Sequence, residues 1–165
     1  MNDYRYNFRR VFADEIHRQM SKNNKIWIVV GDLGYRVWDP VRKDFPDRFI
    51  NAGAAEQSMV GIGVGLALRG KIPIVYSITS FLLFRPFETI RNYINREKIP
   101  VKLVGSGRDR DYEIDGFSHW ATEDKQVMKI FNNIKAYWPK GVQELLKLVK
   151  TMIKTEAPYY LNLKK

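Results

Sequence analysis

Phe8, Val11, Phe12, Ile16 and Met20 recur at helical spacing, which predicts an amphipathic helix over roughly Tyr6 to Asn23. Ile26-Trp27-Ile28-Val29-Val30 is a short apolar run that stops at Gly31, as expected of a strand buried on both faces. A second short strand is expected near Phe49-Ile50, and then a helix from Gln57 to Arg69. Ile72 to Tyr76 predicts a third strand, Phe84 to Asn95 a helix, and Val101 to Val104 a fourth strand. After a long loop come a helix near Glu123 to Lys129, a strand near Lys135 to Tyr137 and a helix from Val142 to Ile153. Tyr159 to Leu163 is the last strand. Strands alternating with helices predict an α/β three-layer sandwich, with a mostly parallel, roughly six-stranded sheet and helices on both faces. Ligands of such sheets bind beyond the carboxyl ends of the strands.

Composition narrows the function classes. The 165 residues suffice for one domain with a sizeable core, and 45% apolar with 28% charged residues suit a soluble globular chain. The longest apolar run, Met59 to Leu68, is too short to span a bilayer. The first six residues hold no apolar signal core, so a cytoplasmic location is expected. The absence of cysteine removes disulfides, thiolate metal sites and cysteine nucleophiles. A net charge of +10 suits nucleic acid, anionic membrane or phosphorylated metabolites. Lys and Arg are scattered, with no basic tail, which argues against a dedicated nucleic-acid module. The charge then reads as a solvated basic surface, or as attraction for anionic substrates or an acidic partner subunit.

Candidate chemistry gathers at predicted strand ends. Glu56 stands at the mouth of the apolar, glycine-rich run Gln57 to Leu68, and no further acid follows until Glu88. A lone carboxylate beside so much apolar surface needs a reason, because desolvation disfavours its charge. A plainer account is a first-turn acid suited to the helix macrodipole. Gly31-Asp32-Leu33-Gly34 follows the first strand and also reads as an ordinary turn. Gly61, Gly63 and Gly65 fail as a dinucleotide fingerprint, since they fall inside a helix, and suggest close packing, for instance by a helix of a partner chain. Phe81, Phe84 and Phe87 recur every three residues, which alone would suggest core packing. His119 lies in the loop Asp115-Gly116-Phe117-Ser118-His119, whereas the other histidine, His17, sits among polar neighbours in the first helix.

Phe49-Ile50-Asn51-Ala52-Gly53-Ala54-Ala55-Glu56-Gln57-Ser58-Met59-Val60-Gly61 resembles the Phe-x-Asn-x-Gly-x-Ala-Glu-Gln-x-Met-Val-Gly pattern of the transketolase family, in its pyrimidine-binding (Pyr) domain. Ser80-Phe81 with Glu88-Thr89-Ile90-Arg91-Asn92, Asp115 to His119, and Ala157-Pro158-Tyr159-Tyr160-Leu161-Asn162-Leu163 resemble further segments of that domain. The resemblance runs from about Arg9 to the C-terminus. It implies thiamine diphosphate as cofactor. Glu56 would hydrogen-bond its aminopyrimidine N1′, in an apolar surround of Ala54, Ala55, Met59 and the phenylalanines. Phe81, then Phe84 and Phe87, would surround the ring, and Asp32 would touch the cofactor across a subunit interface. His119 and Asp115 would meet the substrate, with His119 near its reacting carbons. Arg9 is spaced like a phosphate-contacting arginine.

Departures from the family pattern shape the expectation. Thiamine enzymes anchor the diphosphate through Gly-Asp-Gly and a downstream asparagine, and here Gly31-Asp32-Leu33 stands alone. The resemblance therefore implies that Mg²⁺ and the diphosphate are held by a partner subunit. Trp138 precedes Pro139 where the family often has a phosphate-holding arginine, which speaks against ordinary sugar phosphates. A full transketolase carries a diphosphate-binding domain before this region and a further domain after it, and neither lies within these residues. The expected protein is the Pyr subunit of a split transketolase-like enzyme that moves a two-carbon ketol unit between sugar-type substrates, in a heterodimer or heterotetramer. A thiamine-dependent 2-oxo acid decarboxylase built from separate subunits, a basic nucleic-acid-binding protein and a non-catalytic scaffold remain alternatives.

Overall fold

The computed structural model describes residues 7–165, so Tyr6 of the expected first helix lies outside the described residues. Helix α1 spans Phe8–Met20. Asn7 caps it, its Oδ1 accepting from the backbone N–H groups of Arg9 (3.1 Å) and Arg10 (3.3 Å). Strand β1 is Ile26–Val30 and β2 is Phe49–Asn51. Between them lies α2, Asp39–Asp44, which the sequence pattern did not suggest because six residues carry too little periodicity. Helix α3 runs Glu56–Leu68 and β3 runs Ile72–Ile78.

The next segment departs from expectation. Helix α4, Thr79–Phe84, starts directly at the end of β3 rather than at Phe84. Pro86 lacks an N–H and interrupts the path. The chain resumes as α5, Phe87–Thr89, and widens into a π-helical stretch over Ile90–Arg96. Strand β4, Lys102–Ser106, then leads to single 3₁₀ turns at Glu113–Asp115 and Phe117–His119. Helix α6 (Asp124–Ile130), β5 (Lys135–Tyr137), α7 (Val142–Lys154) and β6 (Tyr159–Leu163) complete the chain, close to the expected bounds.

All six strands are parallel, in the order β2-β1-β3-β4-β6-β5. Side chains alternate between the two faces. Ile28, Val30, Ile74, Tyr76 and Leu161 pack under α1 and α7. Val29, Val75, Leu103 and Tyr160 pack under α3, α4, α6 and the π-helical stretch. This is the three-layer sandwich that the alternation of elements predicts. The chain leaves β1 for β2 on one side and returns to β3 on the other. The carboxyl ends of β1 and β3 therefore flank a topological switch point, where open α/β sheets bind ligands. Among the described residues no helix is long and apolar enough to cross a membrane.

Candidate functional site

Glu56 is the first residue of α3 and sits at that switch point, just after β2. It is 2% exposed. The start of α3 favours its negative charge. Its Oε2 accepts from Arg85 Nη1 at 2.6 Å, and its Oε1 accepts from Ser77 Oγ at 3.4 Å. The wholly apolar surround that the sequence suggests is thus corrected: a guanidinium from the end of α4 covers the carboxylate. A β-carbon at Gly31 would lie 3.5 Å from Glu56 Oε1 and 3.2 Å from Met59 Sδ, so glycine at the end of β1 keeps this corner open.

Helical spacing puts Phe81 and Arg85 on one face of α4. The Arg85 guanidinium lies 3.8 Å over the Phe81 ring, within cation–π range. Phe81 meets the His119 ring at 4.8 Å, edge to face. His119 Nδ1 is 3.0 Å from Ser118 Oγ, and Ser80 Oγ donates to the Ser118 carbonyl at 2.6 Å, which ties this loop to α4. Beyond His119 stands Tyr112, 6.3 Å away between ring centres. The Tyr112 hydroxyl is 2.8 Å from Ser106 Oγ and accepts from Arg9 Nη1 at 3.3 Å. Glu56, Arg85, Phe81, His119, Tyr112 and Arg9 therefore form one row along the carboxyl edge of the sheet.

The other expected residues lie around that row. Asp32 adopts a left-handed backbone, φ 50°, after β1. Its N–H donates to Asn51 Oδ1 at 3.0 Å, and its Oδ1 accepts from the Tyr35 hydroxyl at 2.9 Å, which pushes the Tyr35 phenol above its ordinary pKa. Asn51 Oδ1 also accepts from the Gly53 N–H at 3.0 Å, so this side chain fixes two turns at once. Phe84 is exposed and lines an apolar hollow of about 370 Å³ with Phe117 and Trp120. Phe87 instead packs on Phe131, 5.1 Å between rings, against the core under α3. The break at Pro86 turns Phe87 away from α4, which carries Phe81 and Phe84; Phe81 joins the row, Phe84 faces the hollow beside it and Phe87 lies outside both. Asp115 is exposed on its 3₁₀ turn.

Comparison with known proteins settles what kind of domain carries this row. The sequence matches the family described as transketolase, pyrimidine binding domain, over residues 5–165. The chain belongs to this family. It is similar to one subunit of the apulose-4-phosphate transketolase of Actinobacillus succinogenes, 34% identical over 124 residues, covering 75% of this chain and 40% of that protein. It also resembles a 6-deoxy-6-sulfo-D-fructose transketolase subunit of a Clostridium species, 30% identical over 158 residues, covering 94% of this chain and 48% of that protein. A solved split-gene transketolase, an inactive beta4 tetramer, superposes with a TM-score of 0.83 at 30% identity, covering 95% of this chain and 51% of that one. The chain thus spans about half the length of these relatives, or less.

Within this transketolase-type domain, the position of Trp138 is occupied by a structural group. Its indole N–H donates to Asp124 Oδ2 at 2.6 Å. The same oxygen accepts from the Tyr160 hydroxyl and from Asn162 Nδ2, each at 2.9 Å. Burial pushes the Asp124 carboxyl up, and the bonds from Trp138 and Tyr160 oppose that. Burial also pushes the Tyr160 phenol well above its ordinary value. A cation still approaches this spot from another loop. Arg108 Nη1 donates to the Pro139 carbonyl at 3.1 Å, while its Nε and Nη2 hold the side chain and carbonyl of Asn162. Among the described residues no group of three or more His, Asp or Glu side chains gathers as if for a metal.

Arg85, Tyr112 and Ser77 were missed by sequence reasoning. Arg85 did leave a signal, since it follows Phe81 by four residues in a segment of helical spacing. Tyr112 and Ser77 gave none, because Tyr112 stands in an irregular loop without periodicity and Ser77 meets Glu56 from 21 positions away.

Proposed function

We propose that this chain is the Pyr subunit of a split, thiamine-diphosphate-dependent, transketolase-like enzyme that transfers a two-carbon ketol unit between sugar-type substrates, in the cytoplasm. The observation that carries the reading is Glu56: a buried carboxylate at the sheet's switch point, within the Pyr family's own motif. The names of two relatives, both transketolase subunits, support the class of reaction.

The residues present fit the aminopyrimidine end of the cofactor. A buried acid, an aromatic face beside it and the room left at Gly31 suit a flat ring that carries a basic nitrogen. When bound, thiamine diphosphate supplies the carbon that accepts and passes on the ketol unit. Glu56 would share a proton with the ring nitrogen N1′. To do so it must exchange Arg85 for the ring. Phe81 and Phe84 would flank the ring, with Phe87 bracing them from the core side. Asp32 would reach the cofactor of a neighbouring subunit. His119 would hold or move a proton at a substrate hydroxyl, with Asp115 and Arg9 binding the rest of the substrate. Mg²⁺ and the diphosphate are assigned to a partner subunit, because Gly31-Asp32-Leu33 lacks the Gly-Asp-Gly signature.

Two outcomes are expected. First, the isolated chain binds thiamine diphosphate weakly in calorimetry with Mg²⁺ and gains affinity with its co-purifying partner. Tight binding by the isolated chain contradicts the reading. Second, Trp138 removes a charge-assisted phosphate contact worth about 1.5–3 kcal/mol. The assembled enzyme should therefore prefer a donor other than the common pentose and hexose phosphates, and comparable efficiency on xylulose 5-phosphate would refute this.

A further inference from the structure

The edge of the sheet opposite Glu56 holds a second cavity, about 540 Å³ in volume. It lies between the turn after α1, the turn after α3, the start of β4 and the end of α7. Lys102 opens β4 on this side, and Ser106, which meets Tyr112, closes it on the other. Four residue steps of strand separate the two edges by roughly 13 Å. This cavity is therefore distinct from the row built around Glu56.

Lys102 is its unusual feature. The residue is 2% exposed and lines the cavity. Lysine is almost never fully buried unless paired. Here its Nζ donates to the carbonyls of Thr155 (2.7 Å) and Ala157 (2.5 Å), both neutral acceptors. An ammonium has three protons to give. Among the described residues none accepts the third, and no carboxylate forms an ion pair with this nitrogen. Lys25, Lys71 and Lys154 line the same cavity, with Glu156 as the acid among them. The carbonyl ends of α1, α3 and α7 face this edge and disfavour an anion. The carbonyl of Thr155, which caps α7, is however already taken by Lys102, as is that of Ala157 in the loop beyond. The remaining lysines outnumber Glu156, and the volume lies in the range of small-molecule sites.

We propose that this cavity is a second ligand site, which takes a small phosphorylated metabolite and places its phosphate among Lys25, Lys71, Lys102 and Lys154. The inference stands apart from the thiamine reading, since it uses no residue of the Glu56 row. It also carries a proton signature. Burial, and then Lys135, lower the Lys102 pKa to about 8, with Glu156 opposing, and the Tyr159 ring lies 5.2 Å from its nitrogen. A dianion placed beside it would raise that value again. Binding near pH 8 should therefore take up a fraction of a proton.

The test uses the full chain, with inorganic pyrophosphate as probe in chloride buffers at pH 8. Amide spectra should show saturable shifts at Gly70, Lys71 and Thr155. Calorimetry in two buffers of different ionisation enthalpy, repeated with sulfate, a dianion with no proton to lose at this pH, should show proton uptake. Lys25→Gln/Lys71→Gln/Lys154→Gln keeps Lys102 and the fold, and should weaken binding at least ~10-fold, the scale of a lost charge-assisted hydrogen bond. Arg9→Gln should leave the affinity unchanged. Absent binding, non-saturating shifts spread over surface lysines, or saturable shifts confined to Ser106–Trp120 would each overturn the proposal. Unaltered affinity in the triple variant would do the same, and would leave Lys102 as a clamp on the end of α7.

Discussion

Arg85 covers the carboxylate of Glu56. The pair spans 29 positions of sequence and closes to 2.6 Å, with the carboxylate buried and the guanidinium half exposed. Replacing Arg85 by Gln removes the charge that offsets a buried anion. Because one partner is solvated, the cost should be about 1–2 kcal/mol in denaturant unfolding. The same change spares the cofactor the work of displacing the guanidinium. The assembled Arg85→Gln enzyme should thus bind thiamine diphosphate several-fold more tightly by calorimetry, and weaker binding would make Arg85 a holder of the cofactor instead. Glu56 itself was legible, since a long motif surrounds it. Its ion pair was not, because local sequence does not encode which distant cation folds over a carboxylate. Trp138 shows the same limit. Its sequence position advertised a missing charge, whereas its contact with Asp124 exists only in the folded sheet.

Among the elements, α3 is the most informative. Its three glycines look alike in sequence but meet different surroundings. A β-carbon at Gly63 would lie 2.5 Å from Val75 Cγ2, whereas Gly61 and Gly65 face open space. Gly63→Ala should therefore destabilise the chain by about 1–3 kcal/mol through overpacking. Gly61→Ala should leave it as stable or up to about 1 kcal/mol more stable, since alanine is the better helix former. Denaturant unfolding of both variants checks the contrast, and equal losses would refute it. If a partner helix rests on this face, Gly61→Ala should also weaken subunit association in sedimentation experiments. The strands were legible almost to the residue, because buried parallel strands are continuous apolar runs bounded by turns. Around α4 the reading slipped. β3 passes into α4 at Thr79 with no glycine or proline between them, and periodicity alone does not mark where strand becomes helix.

At the scale of the whole molecule, the parallel order places the motif segments where the topology asks for a ligand. Asp32, Glu56, Phe81 and His119 come from four separate connections, yet all lie at the carboxyl edge. The alternation of elements made that edge predictable. The lysine-lined cavity at the other edge was not, because its lysines are scattered in sequence and converge only through the sheet. Glu56→Gln separates proton sharing with the cofactor from simple hydrogen bonding at this position. Glutamine keeps size and hydrogen bonding but lacks an acid of matching strength. It is also a comparable helix former, so folding and assembly should persist. The measurement is deuterium exchange at the C2–H of thiamine diphosphate in the assembled enzyme. Exchange should slow by at least ~10²-fold, the usual scale of acid–base contributions. A correctly assembled Glu56→Gln enzyme that exchanges at the wild-type rate would contradict the account.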